Sequence, residues 1–288
     1  MTKNPLTHAI VAFSLWGLLP LYLKQMPSFS AYEITAYRVI LSFITLLVYL
    51  LIRDGSKTFL SNTARLLKST PLYFSSILIG INWFLFVYCI DKGIILEASF
   101  GYFSGPLVSI FLGLVFLKEK ISPLKLIAII LAVFSVALQA SFLDSFPWIA
   151  VILALSFALY GLFKKFTKTE SLNSLFFESL ILLIPSIWYV IDLESKAQGA
   201  LKYASSFEYF FICFSGVMTI LPLFFFTKAA KKLPLNVLGF VQYLAPLLQF
   251  LVGYLVYKED LSNIKAISFV IIWASCMIIL IDQNRRKI

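Results

Sequence analysis

The stretch EASFGYFSGPLVSIFLGLVFLKEKISPLK, from Glu97 to Lys125, returns in altered form as VLGFVQYLAPLLQFLVGYLVYKEDLSNIK, from Val237 to Lys265. A shift of 140 residues superposes Pro106 on Pro246, Leu107 on Leu247, Gly113 on Gly253, Lys118-Glu119 on Lys258-Glu259, Ser122 on Ser262 and Lys125 on Lys265. The chain therefore reads as two copies of one unit, residues 1–141 and 142–288. Each copy holds a charge-free apolar run, Ala98 to Leu117 and Val237 to Tyr257. Each run is as long as the roughly 20 residues that a helix needs to cross about 30 Å of hydrocarbon. A proline inside each of these helices is expected to bend or locally break it.

Similar runs fill the rest of the chain. They lie at about His8 to Leu23, Glu33 to Ile52, Leu72 to Ile90, Leu124 to Ala140, Phe146 to Leu162, Leu172 to Ile191, Tyr209 to Thr227 and Ala266 to Ile281. With the two above, they predict an all-α integral membrane protein of ten transmembrane helices. Composition agrees: 13% of residues are charged, where a soluble domain has about a quarter, 60% are hydrophobic and the mean hydropathy is +0.92. The first run has no small-residue cleavage motif and is read as a retained helix.

Basic residues alternate between heavily and lightly charged connections. Seventeen of the 24 fall on the side of the termini: Lys3; Arg53, Lys57, Arg65 and Lys68; Lys118, Lys120 and Lys125; Lys164, Lys165 and Lys168; Lys228, Lys231 and Lys232; and Arg285, Arg286 and Lys287. The other side has Lys24, Lys92, Lys196, Lys202, Lys258 and Lys265, and Arg38 lies inside a helix. The positive-inside rule then puts both termini in the cytoplasm. The duplicated helices are the fourth and the ninth, and an odd shift reverses direction across the bilayer. The two five-helix repeats are thus expected to be inverted, an architecture frequent in secondary transporters, whose sites lie at mid-membrane where the repeats meet. The short link from Ser141 to Phe146 suggests one bundle.

Other chemistries find little support. The net charge of +10 comes from short clusters between apolar runs, which suits an anionic lipid surface rather than nucleic acid. Cys89, Cys213 and Cys276 are far apart within apolar runs, and His8 is the sole histidine, so neither a disulfide framework, a metal site nor a bound cofactor is expected. HExxH and GxSxG are both missing, which argues against an intramembrane enzyme. The remaining alternative is a channel or a non-transporting membrane receptor; a channel would usually show oligomeric symmetry and a polar pore ring, whereas the symmetry here lies within one chain.

The segments WGLLPLYLK (Trp16 to Lys24), EITAYRVILS (Glu33 to Ser42), GINWFLFVYCIDKG (Gly80 to Gly93), EASFGYFSGPL (Glu97 to Leu107), FALYGLFKK (Phe157 to Lys165), FES (Phe177 to Ser179), GVMTILPLFFFTKAAKKLPL (Gly216 to Leu235) and GFVQYLAP (Gly239 to Pro246) carry a family resemblance. In order and over nearly the whole chain they resemble the RarD branch of the EamA transporters, in the drug/metabolite transporter superfamily. The resemblance implies a bacterial inner-membrane carrier of two inverted five-helix repeats, moving a small-molecule substrate.

Within that frame a few residues are candidates for transport. A charge at the centre of a helix costs about 2.5–3.5 kcal/mol on insertion scales and usually faces the bundle interior with a partner, which singles out Arg38. Glu33 lies five residues earlier, about 140° round the helix, and either joins coupling or gating or serves as an N-terminal helix charge. Glu178, seven residues into its run, is the candidate for proton coupling, with a packing role as its alternative. Trp16, Tyr22, Asn82, Trp83, Tyr88, Tyr102, Tyr160, Gln242 and Tyr243 are the further candidates to line a mostly apolar cavity with a few polar groups, about half of them expected to touch it. The Lys118-Glu119 and Lys258-Glu259 pairs read as interfacial anchors or as a gating latch. Gly101, Gly105, Ser109 and Gly113 form a small-residue stripe suited to close packing within the bundle or, less readily, to dimerisation, leaving monomer and homodimer open.

Overall fold

The computed structural model describes residues 4–92, 94–141, 146–258 and 263–285, with backbone alone for 90, 91, 95–97, 263–265, 280 and 283–285. Of the residues singled out above, Glu259, Ser262, the link 142–145 and the termini beyond 4 and 285 lie outside the described residues, as do the side chains of Lys265 and Arg285. The helices are α1 (Pro5–Leu23), α2 (Ala31–Leu66), α3 (Thr70–Asp91), α4 (Ile95–Phe116), α5 (Pro123–Ala140), α6 (Trp148–Phe166), α7 (Ser171–Ser195), α8 (Ser206–Ala230), α9 (Leu235–Gln242), α10 (Leu244–Leu255) and α11 (Asn263–Arg285). Among the described residues α1 to α8 are each long and apolar enough to cross a membrane, and α9 with α10 makes one more such span. The described apolar part of α11, Ala266–Ile279, belongs to the tenth.

Local sequence sets the ends. Asn4 caps α1 by accepting from the Leu6 N–H at 3.0 Å, with Pro5 in the first turn. Ser122 does the same for α5, ahead of Pro123. Ser30 with Glu33 and Ser205 with Glu208 form capping boxes at α2 and α8, each satisfying two backbone N–H groups reciprocally. The span of α2 ends at Gly55, whose φ of 73° only glycine adopts readily. Beyond it, the connection read from sequence as a basic loop is helical to Leu66. Phe59 and Leu66 are buried there, and Phe59 meets Phe176 of α7 edge-on at 5.2 Å.

The two prolines of the repeat differ in effect. Pro106 sits inside an unbroken α4. In the second copy the helix is interrupted at Tyr243, three residues before Pro246, where the N–H bonds the Phe240 carbonyl three residues back. The copies agree again at their ends: Lys118 and Lys258, 140 residues apart, both take positive φ, 51° and 56°.

Helix packing runs between the halves rather than within them. The most extensive contacts join α4 to α6, α2 to α7, α5 to α11, α3 to α6, α2 to α8, α1 to α8, α1 to α10 and α4 to α9. Exchanging the halves maps α1 on α6, α2 on α7, α3 on α8, α4 on α9 with α10, and α5 on α11. Under that exchange the pairs α1–α8 and α3–α6 trade places, as expected for a twofold axis in the membrane plane. Large apolar side chains such as Ile52, Phe134, Ile184 and Trp188 remain on the outside, where acyl chains replace water.

Small residues let these helices approach. A Cβ on Gly101 would sit 3.0 Å from the Ala150 carbonyl oxygen of α6, and one on Gly113 would sit 3.0 Å from Leu235 Cβ of α9. The stripe on α4 is therefore consumed inside the bundle. The tightest approach is Gly216 of α8 against α2, where a Cβ would lie 2.5 Å from the Leu41 carbonyl carbon. Ser42 Oγ donates to the Gly216 carbonyl at 3.2 Å beside it. Gly216→Ala is expected to cost about 1–3 kcal/mol through overpacking, read as a lowered unfolding midpoint of the purified protein; an unchanged midpoint would contradict this packing.

Candidate functional site

Arg38, Trp83, Tyr102 and Trp16 come from α2, α3, α4 and α1, each away from its helix ends, and converge on one cavity of about 110 Å³. Asn82, Phe86 and Phe157 complete the wall on α3 and α6, and Gln242, Pro246 and Gln249 flank the break between α9 and α10. Both halves contribute. Tyr102 and Gln242 are related by the same 140-residue shift that relates the two prolines.

The polar groups of this wall are held in place. Asn82 Nδ2 donates to the Leu153 carbonyl at 2.9 Å and to Ser156 Oγ at 3.1 Å, tying α3 to α6. Gln242 Oε1 accepts from Ser109 Oγ at 3.2 Å, and Gln249 Nε2 donates to the Trp16 carbonyl at 3.1 Å. Arg38 Nε donates to Thr219 Oγ1 of α8 at 2.8 Å, and its Cζ lies 5.4 Å from the centre of the Trp83 ring. Among the described residues no carboxylate forms an ion pair with Arg38.

A second constellation lies towards the end of the bundle that bears the termini. Lys164 of α6 is fully buried and donates to Glu178 Oε1 of α7, which is 4% exposed. Ser75 Oγ donates to the same oxygen at 2.6 Å, and Tyr160 OH donates to Oε2 at 3.2 Å. Lys164 also donates to Ser174 Oγ at 2.7 Å. A cavity of about 20 Å³, room for one water, separates Glu178 from Thr219 and Trp83. Trp83 lines both cavities, so the two sites are neighbours.

A third cluster lies at the same end. Glu119 of the first Lys-Glu pair folds back onto α9, whose Leu235 and Asn236 N–H groups donate to its two oxygens at 2.6 and 2.9 Å. Asn236 Nδ2 donates to Oε2 at 2.8 Å, and buried Lys125 Nζ donates to Asn236 Oδ1 at 3.0 Å. Glu119 thus caps a helix of the other half instead of anchoring at a lipid interface. Lys165 donates to the Leu233 carbonyl nearby. Just past α8, Lys231 donates to the Thr169 carbonyl, and desolvation, aided by the Lys164 ammonium, lowers its pKa to about 8.

Of the residues picked out from sequence, Trp16, Arg38, Asn82, Trp83, Tyr102 and Gln242 line the larger cavity. Tyr160 is instead sealed in the Glu178 network, stacked on Phe226 at 5.6 Å. Tyr243 is completely buried between α4 and α11 beside Phe103, on another face of the span from its neighbour Gln242. Tyr22 donates to the Phe211 carbonyl and Tyr88 packs on Phe84 near the far end of α3. Glu33 spends both oxygens on backbone N–H groups, Ser30 at 2.8 Å and Ala200 at 2.7 Å, so the geometry places it in a cap and not beside Arg38. Lys164, Thr219, Phe157 and Gln249 were not singled out from sequence. Lys164 reads there as a loop cation, since the seven residues KKFTKTE look like an ordinary basic turn.

The model of the EamA-like transporter family matches residues 5–140 and 146–281, once for each half. The chain belongs to the EamA-like transporter family. Within it the chain falls in the RarD branch: it is 34% identical to Protein RarD of Escherichia coli (strain K12), over 98% of this chain and 95% of that one. It is 36% identical to the uncharacterized transporter YojE of Bacillus subtilis (strain 168), over 99% and 96%. A crystal structure at 16% identity shares this fold with a TM-score of 0.70, covering 95% of this chain and 96% of that one. A multi-pass membrane transporter of a bacterial family is what these likenesses and the apolar helices jointly give. Among the described residues no group of three or more His, Cys, Asp or Glu side chains assembles that could hold a metal ion.

Proposed function

We propose that this EamA-like protein is a secondary carrier that moves a small amphipathic organic solute across the bacterial inner membrane by alternating access. The observation that carries the reading is an aromatic and polar cavity at the crossing of two interleaved halves. Rocking one half against the other would expose such a cavity to each side in turn. Glu119 on α9 is a contact between the halves at the end bearing the termini, one that opening of that end would have to break. The Lys164–Glu178 pair, one small cavity from Arg38, is the candidate for proton coupling.

Both termini are assigned to the cytoplasm. Lys125 and Lys164 prove buried and drop out of the charge count, yet fifteen basic residues remain at that end against six at the other. The test is counterflow in proteoliposomes loaded with mixtures of amino acids, nucleosides and aromatic compounds. Saturable exchange of an organic solute, missing from empty vesicles, is expected. Ion current without any solute exchange would replace the carrier with a channel.

A further inference from the structure

Arg38 presents a charge problem that the described protein does not solve. Its side chain lines the larger cavity, Nε is taken by Thr219, and the two terminal nitrogens have no hydrogen bond or ion pair among the described residues. A guanidinium in the middle of a membrane-spanning bundle normally has an anionic partner, because an uncompensated charge there is costly. The two carboxylates whose position bears on this, Glu33 and Glu178, are committed elsewhere, to backbone N–H groups and to Lys164 respectively.

We propose that the missing counter-charge arrives with the cargo, and that Arg38 docks the carboxylate of a small organic acid carrying a single planar ring. This rests on the carrier reading for transport, although the binding site stands by itself. A planar guanidinium fork matches a carboxylate with two parallel hydrogen bonds. One cation calls for one negative charge: a monoanion neutralises the cavity, whereas an amine adds repulsion and a dianion leaves an excess. Beside the fork, Trp16, Trp83, Phe157 and Tyr102 offer faces and edges to a flat apolar body. The volume of about 110 Å³ is close to the roughly 150 Å³ of an engineered cavity that holds benzene, which limits the body to about one ring. Thr219 positions the fork, since it fixes Nε and leaves the outer nitrogens uncommitted.

The test uses the full chain purified in detergent, with benzoate and phenylacetate as probes, and benzamide, phenethylamine, chloride and inorganic phosphate as comparisons. Quenching of tryptophan fluorescence reads the cavity directly, since Trp16 and Trp83 line it, and thermal stabilisation gives a second readout. Saturable binding of the acids is expected, with benzamide and phenethylamine at least about tenfold weaker, as loss of a charge-assisted hydrogen bond implies. Arg38→Gln should remove the preference for acid over amide, and Arg38→Lys should keep part of it. If Arg38→Gln does not fold, the acid-to-amide ratio of the unaltered protein and of Thr219→Val still decides, the latter being expected to shrink. Equal binding of benzamide and benzoate, tighter binding of the amine, chloride or phosphate matching benzoate, or no saturable signal up to the solubility of the acids would each overturn the proposal. Counterflow of neutral solutes without acid binding would overturn it and leave the carrier reading standing. Arg38-dependent acid binding without counterflow would do the reverse.

Discussion

Glu178→Gln is expected to destabilise the protein by about 3–5 kcal/mol, because it strands the Lys164 ammonium in a site with no exposure to solvent. The substitution keeps shape and most hydrogen bonds, so the loss isolates charge. With the amide oxygen in the place of Oε1, Ser75 keeps its acceptor and the amide NH2 faces the Tyr160 hydroxyl, which then accepts instead of donating, whereas Lys164 is left with only neutral partners, Ser174 among them. Chemical or thermal unfolding in detergent measures the single change. The double substitution Lys164→Met with Glu178→Met removes both charges and replaces them with apolar volume, and it should recover most of the stability. Transport separates a structural pair from a coupling one. If the pair carries protons, the double variant folds and exchanges solute but no longer concentrates it against a proton gradient. A stable double variant with unchanged gradient-driven uptake would confine the pair to packing.

The second large effect is expected at Glu119. Glu119→Ala removes the acceptor for two backbone N–H groups and one amide at the start of α9. Loss of a helix cap costs about 0.5–2 kcal/mol and charge-assisted bonds add to this, so about 2–3 kcal/mol is expected. The consequence for function is larger than the figure suggests. Glu119 belongs to the first half and α9 to the second, so the bond is a fastening between the units that must part if the end bearing the termini opens. A cysteine-free variant with Ser109→Cys, buried against Gln242, should label faster with a membrane-impermeant thiol reagent applied from that side when Glu119 is alanine. Unaltered labelling would reduce Glu119 to a cap.

Some of this was legible without coordinates because it is written in short-range pattern. Run length and absence of charge give a helix in lipid wherever they occur, since the backbone can satisfy its hydrogen bonds only internally. The repeat is legible for the same reason: Pro106 and Pro246, or Lys118 and Lys258, can be aligned by eye. Arg38, too, declares itself, as a charge in an apolar run.

What the sequence could not decide is which distant side chains meet. Six of the ten residues picked for the cavity reach it, and Tyr243 does not, because it points about 100° round the span from its neighbour Gln242 and falls in the core. Glu33 and Arg38 share a helix yet never meet, and Lys164, apparently a loop cation, is drawn inside to neutralise Glu178. By itself the chain determined the number of spans, the duplication and the kind of solvent. Only the tertiary structure decided the pairing of charges, because burial of a charge is permitted or forbidden by partners that arrive from other helices.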